Sequence, residues 1–455
     1  MADRKQLHIL LFATTLSSFL TPFMGSGINI GLPAMAKELA MTALTLSWVA
    51  SSFILAAAIT LVPLGRLADI YGRKKIFLYG AVIFTAASFL CTWSPTSTFL
   101  IFVRVIQGVG GAMIFSTGTA LLISAYPLQE RGKILGINIA ATYTGLTMGP
   151  FIGGMLTEHL GWRYIFLLTS LLGIMVILLI AFMVKEEWKQ ADGEGFDFSG
   201  SLLYGVALFA VMYGFSLLPE LRAGGFIGLG VISLLFFIRR QLRIPYPLLN
   251  IHLFLDNKVF AFSNLAALIN YCATFAVTFL LSLYLQHIKA LTPSHAGTIL
   301  IAEPAAQALF SPLAGRLSDH FEPRVIASIG MSLTVIGLIL LIFIHENTSI
   351  HYILWCLILL GIGFAFFSSP NVNATMSSVE NRYYGIASAT LSTMRLIGQM
   401  FSMGITMLVF AVFLGNHPLS GNSLLLKSTQ IIFFILSILC CAGIFASLAR
   451  GKVHK

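Results

Sequence analysis

The chain has 455 residues, of which 57% are hydrophobic and only 10% are charged, and its mean hydropathy is +0.90. A soluble domain carries about 25% charged residues, so this composition excludes a soluble globular protein and predicts one embedded in a bilayer. The net charge of +10 does not indicate a nucleic-acid partner, because the Lys and Arg are spread over many loops and not gathered on one face.

Apolar runs bounded by charged or turn residues predict fourteen membrane-spanning helices, since one crossing needs about 20 apolar residues. Six are predicted first, at 8–32, 46–66, 76–94, 98–124, 134–158 and 162–184. A polar linker at 185–198 then leads to a hairpin within 199–240. Six more helices follow, at 258–286, 296–316, 324–344, 351–372, 385–413 and 429–449. The predicted fold is all-α, with bundles at 1–184 and 257–450 around the extra hairpin.

The distribution of positive charge sets the predicted orientation. With the N-terminus in the cytoplasm, 20 of the 27 Lys and Arg fall in cytoplasmic segments and five in outer loops. Cytoplasmic loops are the ones enriched in Lys and Arg, and one helix more or fewer would exchange the sides of every later loop. We therefore expect both termini to be cytoplasmic.

Residues for enzymatic or metal chemistry are not found in useful patterns. The five Cys all fall in apolar runs without the spacing of metal ligands, and no pair of His or nucleophile with a base is recognisable. The glycines at Gly108 and Gly110 lie in the middle of a predicted helix and do not follow a strand. We expect no enzyme activity, metal or cofactor, and an ion gradient as the energy source.

An internal repeat relates the two predicted bundles. Gly65-Arg66-Leu67-Ala68-Asp69 ends the second helix of the first six, and Gly315-Arg316-Leu317-Ser318-Asp319 ends the second helix of the last six. Both runs fall on the predicted cytoplasmic side, as in parallel repeats related by an axis along the membrane normal. Such halves can rock about a site in the middle of the membrane.

The first of these runs continues to Gly72 and Arg73-Lys74-Lys75, and here the chain resembles the major facilitator superfamily. In that superfamily a similar loop joins helices 2 and 3, and its Asp is thought to latch the inner gate. The resemblance implies a cytoplasmic gate formed by Gly65, Asp69, Gly72 and Arg73 of the first half, with Asp319 and Arg324 of the second.

Further motifs resemble the fourteen-helix drug:proton antiporter branch. Arg104 begins an Arg-x-x-Gln-Gly run, in which the family's Arg is implicated in proton movement. Helix 5 carries a small-residue stripe that resembles the antiporter signature of drug exporters and is expected to let the halves slide. Its residues are Gly145, Gly149, Pro150, Gly153 and Gly154. The motifs Phe196-Asp197-Phe198-Ser199-Gly200, Tyr284-Leu285-Gln286 and Ser294-x-Ala296-Gly297, with Arg395, add to the resemblance.

One departure from that branch concerns its proton carrier. The branch usually has an acid nine positions before the Pro of Asn29-Ile30-Gly31-Leu32-Pro33, but Met24 occupies that place. Of the 17 acids, only Glu303 falls well inside a predicted helix. A charge at a helix centre costs about 2.5–3.5 kcal/mol, so such a carboxylate is a functional candidate. We predict that Glu303 exchanges a proton for substrate and that Arg104 shifts the pKa of Glu303. The alternative left open is a Glu303 that reaches the outer interface and has no function.

The substrate is not fixed by these motifs. Arg104 and Arg395 both lie inside predicted helices, and Glu303 can balance only one of them. The excess positive charge favours an anionic or zwitterionic group on the substrate, or else it is offset by helix C-terminal dipoles and carbonyls. Polar residues that we predict to line the cavity, each with a packing hydrogen bond as the alternative role, are Asn29, Tyr143, Asn270, Tyr271, Gln307, Asn371, Asn373, Arg395 and Gln399, together with Met24.

The leading hypothesis is a proton-coupled exporter of amphiphilic drugs or toxic compounds in a bacterial-type inner membrane. An exporter of an endogenous metabolite, siderophore or lipid-like anion is the alternative, and a membrane receptor that transports nothing is a third. The expected partners are a small amphiphilic substrate, protons and the lipid bilayer. The motifs favour a monomer and do not indicate whether a periplasmic adaptor binds.

Overall fold

The computed structural model describes residues 4–189, 191, 193–380, 384–414 and 422–451, and its regular elements are helices. Parts of the predicted linker, residues 190 and 192, therefore lie outside the described residues. The first half contains six long helices, whose bounds are α1 Arg4–Glu38, α2 Ala43–Tyr71, α3 Arg73–Thr92, α4 Ser97–Ala125, α5 Leu128–His159 and α6 Arg163–Met183.

The hairpin and the second half follow in the predicted order. The hairpin consists of α7 Phe198–Leu217 and α8 Leu221–Gln241, after which a single short turn forms α9 His252–Asp256. The remaining helices are α10 Lys258–Leu283, α11 Pro293–Leu300, α12 Ala302–His320, α13 Pro323–Ile342, α14 Ile350–Ser377, α15 Tyr384–Phe413 and α16 Asn422–Ala449. A π-helical turn, Tyr284–Ile288, extends α10.

Twelve helices of the described residues are long and apolar enough to cross a membrane. The two predicted crossings outside this set are α5 and the α11–α12 pair. The continuous helix predicted at 296–316 is wrong, because the chain breaks at Ile301 between α11 and α12. Pro304 has no N–H to donate to the carbonyl of Leu300, which weakens the helix at this point. The count of fourteen crossings stays a prediction.

The extra hairpin packs over the seam between the halves. The Tyr204 hydroxyl of α7 donates to the Ala58 carbonyl of α2 at 3.1 Å. On the other side, the Phe215 ring of α7 lies 6.1 Å from the Phe401 ring of α15. Since α2 belongs to the first half and α15 to the second, α7 contacts both.

The cytoplasmic end of the hairpin, in the predicted orientation, is fastened by Asp197. This residue caps α7 by accepting the Gly200 N–H at 2.9 Å, and its carboxylate also accepts from Arg240 and Gln241 of α8, both at 2.8 Å. Burial raises the pKa of Asp197, but the Gly200 N–H, Arg240 and Gln241 outweigh it and hold the pKa below its usual value. The Phe196–Gly200 motif thus closes the base of the hairpin.

We call the end of the bundle with the α2–α3 turn the inner end, and the opposite end the outer end. Near the outer end the halves are joined by hydrogen bonds. Ser282 of α10 donates to the Asn29 carbonyl of α1 at 2.6 Å, and Gln286 in the π-helical turn donates to the Ile30 carbonyl at 3.0 Å. A third bond runs from the Ser294 N–H of α11 to the Glu158 carboxylate of α5 at 3.0 Å. These bonds hold the outer end closed.

The small residues of α5 divide between two neighbours. Gly145, Gly149 and Gly153 face α1, so close that a Cβ on Gly153 would lie 2.8 Å from the Gly27 carbonyl oxygen. Pro150 and Gly154 face α11, where a Cβ on Gly154 would lie 2.6 Å from the Pro293 oxygen. Only Pro150 and Gly154 thus contact the other half here, and the role of the stripe in letting the halves slide stays a prediction. Its regular repeat joins α5 to α1 within one half, because successive fourth residues share one helix face.

Candidate substrate cavity and proton site

Aromatic and cationic side chains meet between the halves, at the middle of the helices. The Arg395 guanidinium of α15 lies over the Tyr271 ring of α10, with Cζ 5.1 Å from the ring centroid. The Tyr271 ring in turn packs edge-on against Phe364 of α14 at 5.3 Å. Arg395 and Tyr271 are both partly exposed. This group, Tyr271, Phe364 and Arg395 with Tyr143, is called the central cluster below.

Tyr143 brings α5 of the first half to the same place. Its hydroxyl is close enough to Tyr271 and Arg395 for an electrostatic interaction, and it also interacts with the side chains of Ser311 in α12 and Ser368 in α14. The central cluster therefore spans the seam. Ser311, Ser368 and Phe364 were not predicted, although Ser311 follows Glu303 by eight residues and Gln307 by four, a spacing that places them on one helix face.

Glu303 lies near the start of α12, where its carboxyl group is next to the Thr278 hydroxyl of α10 and interacts with it. Thr278 precedes Ser282 by four residues, and Ser282 contacts α1 across the seam. Helix geometry thus directs Glu303 towards the face of α10 that meets the first half. Both Glu303 and Thr278 are partly exposed. Among the described residues, Glu303 has no cationic side chain within 4 Å.

Glu303 and the central cluster occupy different depths. Glu303 comes ten residues after Pro293 at the outer start of α11, about 15 Å along a helix axis. Ser311, which interacts with Tyr143 of the central cluster, comes eight residues after Glu303 in the same helix, about 12 Å further towards the inner end. Because both belong to the second half, rocking of the halves as rigid bodies does not bring them together.

Three residues predicted to line the cavity are buried within one half, which corrects those predictions. Met24 is 0% exposed, and its sulfur accepts the Thr169 hydroxyl of α6 at 3.5 Å. Asn270 is 0% exposed, and its amide has no hydrogen-bond partner among the described residues. Asn371 is 2% exposed and uses its amide to bind Arg450 and the Ser263 carbonyl. Contacts within the same half decide the positions of Met24 and Asn371.

The other predicted lining residues differ in exposure. Gln399 follows Arg395 by four residues on the same face of α15 and is partly exposed, as a cavity residue should be. Asn29 and Gln307 are buried, at 4% and 5% exposure. Asn29 lies at the closed outer end, and Asn373 binds Ser318 near the inner end. The structure thus groups only part of the predicted set around the central cluster.

Arg104 lies inside the first half. It is 1% exposed, donates to the Val49 carbonyl at 3.1 Å and to the Gln107 amide oxygen at 2.6 Å, and lies 4.6 Å over the Phe53 ring. Gln107 continues the chain of bonds to Ser88 at 2.7 Å. The structure does not bring Arg104 into contact with Glu303, and its effect on proton exchange stays a prediction.

The predicted inner gate is formed in the first half by an ion pair. Asp69 binds Arg73, with the Oδ1 atom 2.8 Å from Nε and 2.7 Å from Nη2. Arg73 also donates to the Ala120 carbonyl and the Ser124 hydroxyl of α4. Between them Gly72 has φ +125°, a conformation that L side chains rarely adopt. Just beside it, the Glu187 carboxylate accepts the N–H groups of Lys74 and Lys75 and so caps α3.

In the second half the corresponding turn is built differently. Asp319 accepts a hydrogen bond from the Asn373 amide at 3.4 Å, and no Asp319–Arg324 ion pair occurs among the described residues. Pro323 opens α13 at the place equivalent to Arg73. The prediction that Arg324 acts with Asp319 is therefore not supported by contact in this conformation.

The arrangement so far is a helical protein of two halves with a partly open polar space at their seam. A family model described as the Major Facilitator Superfamily matches residues 14–255 and 263–454. The chain belongs to the major facilitator superfamily. It is thus a multi-pass integral membrane protein and a transporter of small molecules, not an enzyme.

Curated relatives fit this assignment. The riboflavin transporter RibZ of Clostridioides difficile (strain 630) is 30% identical over 395 residues, which cover 86% of this chain and 85% of RibZ. The multidrug resistance protein Stp of Mycobacterium tuberculosis (strain CDC 1551 / Oshkosh) is 31% identical over 421 residues, covering 90% of this chain and 77% of Stp. Stp confirms the predicted resemblance to drug exporters of the family.

A solved structure with a similar fold is that of a bacterial homologue of the human lysosomal transporter Spinster, in an inward-facing and unoccupied conformation. It matches with a TM-score of 0.72 at 16% sequence identity and covers 98% of both chains. The agreement over nearly the full length confirms the major facilitator fold.

Proposed function

We propose that this transporter is a proton-coupled exporter of amphiphilic compounds, with both termini in the cytoplasm of a bacterial-type cell and fourteen crossings of its inner membrane. The observation that carries the proposal is Glu303, an acid within a predicted membrane helix, held by Thr278 on the face that meets the other half. The relatedness to Stp supports drug-like substrates.

The coupling follows from the cost of burying a charge. When the halves close over the cavity, an ionised carboxylate without a cation partner loses solvation that the neutral form does not need. Protonated Glu303 therefore passes through the closed state more readily than empty, ionised Glu303. The outward step with ionised Glu303 requires bound substrate to offset that cost, so the carrier leaves only with substrate, returns only with a proton and thereby exchanges the two.

The closed outer end supports the sequence of steps. The bonds of Asn29, Glu158 and Ser294 hold the outer end shut, so the cavity in this conformation is one that would take up substrate from the inner side. Opening to the outside then requires these bonds to break. Release of substrate and uptake of a proton by Glu303 would follow in that second conformation.

The test separates coupling from movement. Glu303→Gln and wild type are reconstituted in proteoliposomes, and two probes are used, ethidium and anthracene-9-carboxylate. We expect uptake driven by a pH gradient to fall about tenfold or more in Glu303→Gln, because Gln cannot exchange a proton. Counterflow, the exchange of labelled for unlabelled probe without a gradient, should persist. Unchanged gradient-driven uptake would remove Glu303 from the mechanism.

An exporter of an endogenous metabolite is the second candidate. Two observations favour it: the relative RibZ is named for riboflavin, and Arg395 places a cation beside the aromatic rings of the central cluster. Transport of riboflavin, but of neither ethidium nor anthracene-9-carboxylate, would favour this candidate over drug export.

A further inference from the structure

Among the described residues, Arg104, Arg395 and Arg450 are buried or half-buried without a carboxylate within 4 Å, and two of these three are satisfied by their own half. Arg104 donates to the Val49 carbonyl and the Gln107 amide. Arg450 is 0% exposed and donates to the Ser447 carbonyl and to the oxygens of Asn371, Ser263 and Ser447. In both cases uncharged oxygen atoms accept hydrogen bonds from the guanidinium N–H groups, so these two arginines have a structural role.

Arg395 differs from both in its surroundings. Among the described residues its guanidinium has no hydrogen-bond acceptor and no carboxylate within 4 Å, and it lies over the Tyr271 ring. Arg395 is partly exposed, and its nitrogen atoms, which have no hydrogen-bond partner among the described residues, are accessible to solvent. A guanidinium has five N–H donors in one plane, arranged to bind a carboxylate or similar anion with two parallel bonds. Here those donors point into accessible space.

The rest of the central cluster adds a flat apolar surface and further donors. Tyr271 and Phe364 place two aromatic rings 5.3 Å apart beside Arg395. Tyr143, Ser311 and Ser368 contribute hydroxyl groups from both halves. The acid that could balance a cationic substrate, Glu303, lies about 12 Å from Ser311 along α12 and interacts with Thr278.

From this geometry we infer that the central cluster binds planar aromatic anions, with Arg395 binding the negative group and Tyr271 stacking on the rings. The inference rests on the proposed export function and specifies its substrate class. In this arrangement Arg395 makes the site bind an anion more tightly than a cation. Aromatic rings alone would also attract a cation through their faces, but the Arg395 guanidinium lies over one face of the Tyr271 ring and would repel a second cation beside it.

The test is a binding measurement on purified protein in detergent, which requires neither transport nor proton coupling. Calorimetry compares three probes that share one ring system: anthracene-9-carboxylate, neutral 9-anthracenemethanol and cationic 9-anthracenylmethyl-trimethylammonium. We expect wild type to bind the anion about tenfold or more tightly than the cation, since charge-assisted bonds to a partly buried Arg are among the stronger polar contacts.

Variants at position 395 test whether Arg395 causes the preference for the anionic probe. Arg395→Gln should weaken the anion by about 10- to 100-fold and change the neutral probe by less than about threefold. Arg395→Lys keeps the charge but loses the planar fork, so its preference should be intermediate. Arg222→Gln is the control, because Arg222 is 82% exposed and its removal should leave the preference unchanged.

Two results would overturn the inference. One is that wild type binds the cation as tightly as the anion, a measurement that does not depend on the folding of any variant. The other is an Arg395→Gln protein that weakens all three probes equally, as a general structural role would. If Glu303→Gln leaves coupling intact while the anion preference is found, only the proton mechanism is lost, so the two proposals fail separately.

Discussion

The two inner turns carry the same Gly-Arg-Leu-small-Asp run, but they are held together by different interactions. In the first half, Asp69 forms an ion pair with Arg73 four residues later, and Gly72 lets the chain turn between them. In the second half, Asp319 accepts a hydrogen bond from the neutral Asn373 amide. The repeat keeps the acid at the end of the helix, whereas the partner of that acid depends on the residues next to it.

The first turn is also tied to the segment that leads into the hairpin. The Arg73 N–H donates to the Trp188 carbonyl at 2.9 Å, and the Ala191 N–H donates to the Asp69 carbonyl at 3.0 Å. Glu187 caps α3 from the same segment. A sequence repeat can thus mark the same helix end in both halves, although different side-chain interactions hold the two turns.

The strongest way to break the first turn is Gly72→Ala. The alanine would have to adopt φ near +125°, and its Cβ would lie 2.5 Å from the Glu187 Cδ atom, which displaces the α3 cap. We expect a loss of about 2–4 kcal/mol in the stability of this region and a clear fall in the thermal unfolding midpoint.

Gly193→Ala is the matched control for that variant. Gly193 also has positive φ, +83°, but a Cβ there would meet nothing within 4 Å. It should therefore suffer only the backbone cost, and its midpoint should fall by less than that of Gly72→Ala. Equal shifts for the two variants would show that Glu187 contributes nothing.

A second prediction concerns the far end of the same linker, where Asp197 closes the hairpin. Its pKa is held below the usual value of about 3.9, so the ionised form stabilises the fold fully above that pH and the contribution is lost as pH falls through the lower, folded-state pKa. We expect Asp197→Asn to lower the midpoint by about 2–5 °C at pH 7. The difference from wild type should shrink below about pH 4, and a difference that grows with acid would contradict this.

The third and smallest effect compares the two acids directly. Asp69→Asn removes the partner of Arg73, which is 6% exposed, but the carboxylate itself is 31% exposed, so screening limits the loss to about 1–2 kcal/mol. In Asp319→Asn the side-chain oxygen can still accept a hydrogen bond from the neutral Asn373 amide, so the free energy of unfolding should fall by less than about 0.5 kcal/mol. Midpoints of the two variants measured side by side test this order, which a larger loss for Asp319→Asn would reverse.

The sequence predicted the fold and the position of most helix ends because hydropathy and turn residues report directly on membrane crossing. It did not predict the break at Ile301. It also placed Met24, Asn270 and Asn371 in the cavity, since an apolar run with one polar residue does not reveal which neighbour that residue faces. That choice depends on how the helices rotate when they pack.

The candidate site was predicted in part for the same reason. Glu303, Tyr143, Tyr271 and Arg395 could be singled out as polar groups within helices, and the structure places them at or near the seam. Thr278, Ser311 and Ser368 resemble the many hydroxyl residues that bond to their own helix backbone, so nothing in the sequence distinguished them. Glu158 is the last residue of the helix predicted at 134–158, and its bond to Ser294 depends on the contact between α5 and α11.

The most direct test of the proposed coupling is to let substrate drive protons. Proteoliposomes containing a trapped pH dye are given an outward gradient of whichever probe is transported, ethidium or anthracene-9-carboxylate, with no initial pH difference. In wild type, probe efflux should acidify the lumen as protons enter in exchange, and in Glu303→Gln the probe should move without a pH change. Acidification of equal size in both proteins would contradict proton exchange at Glu303.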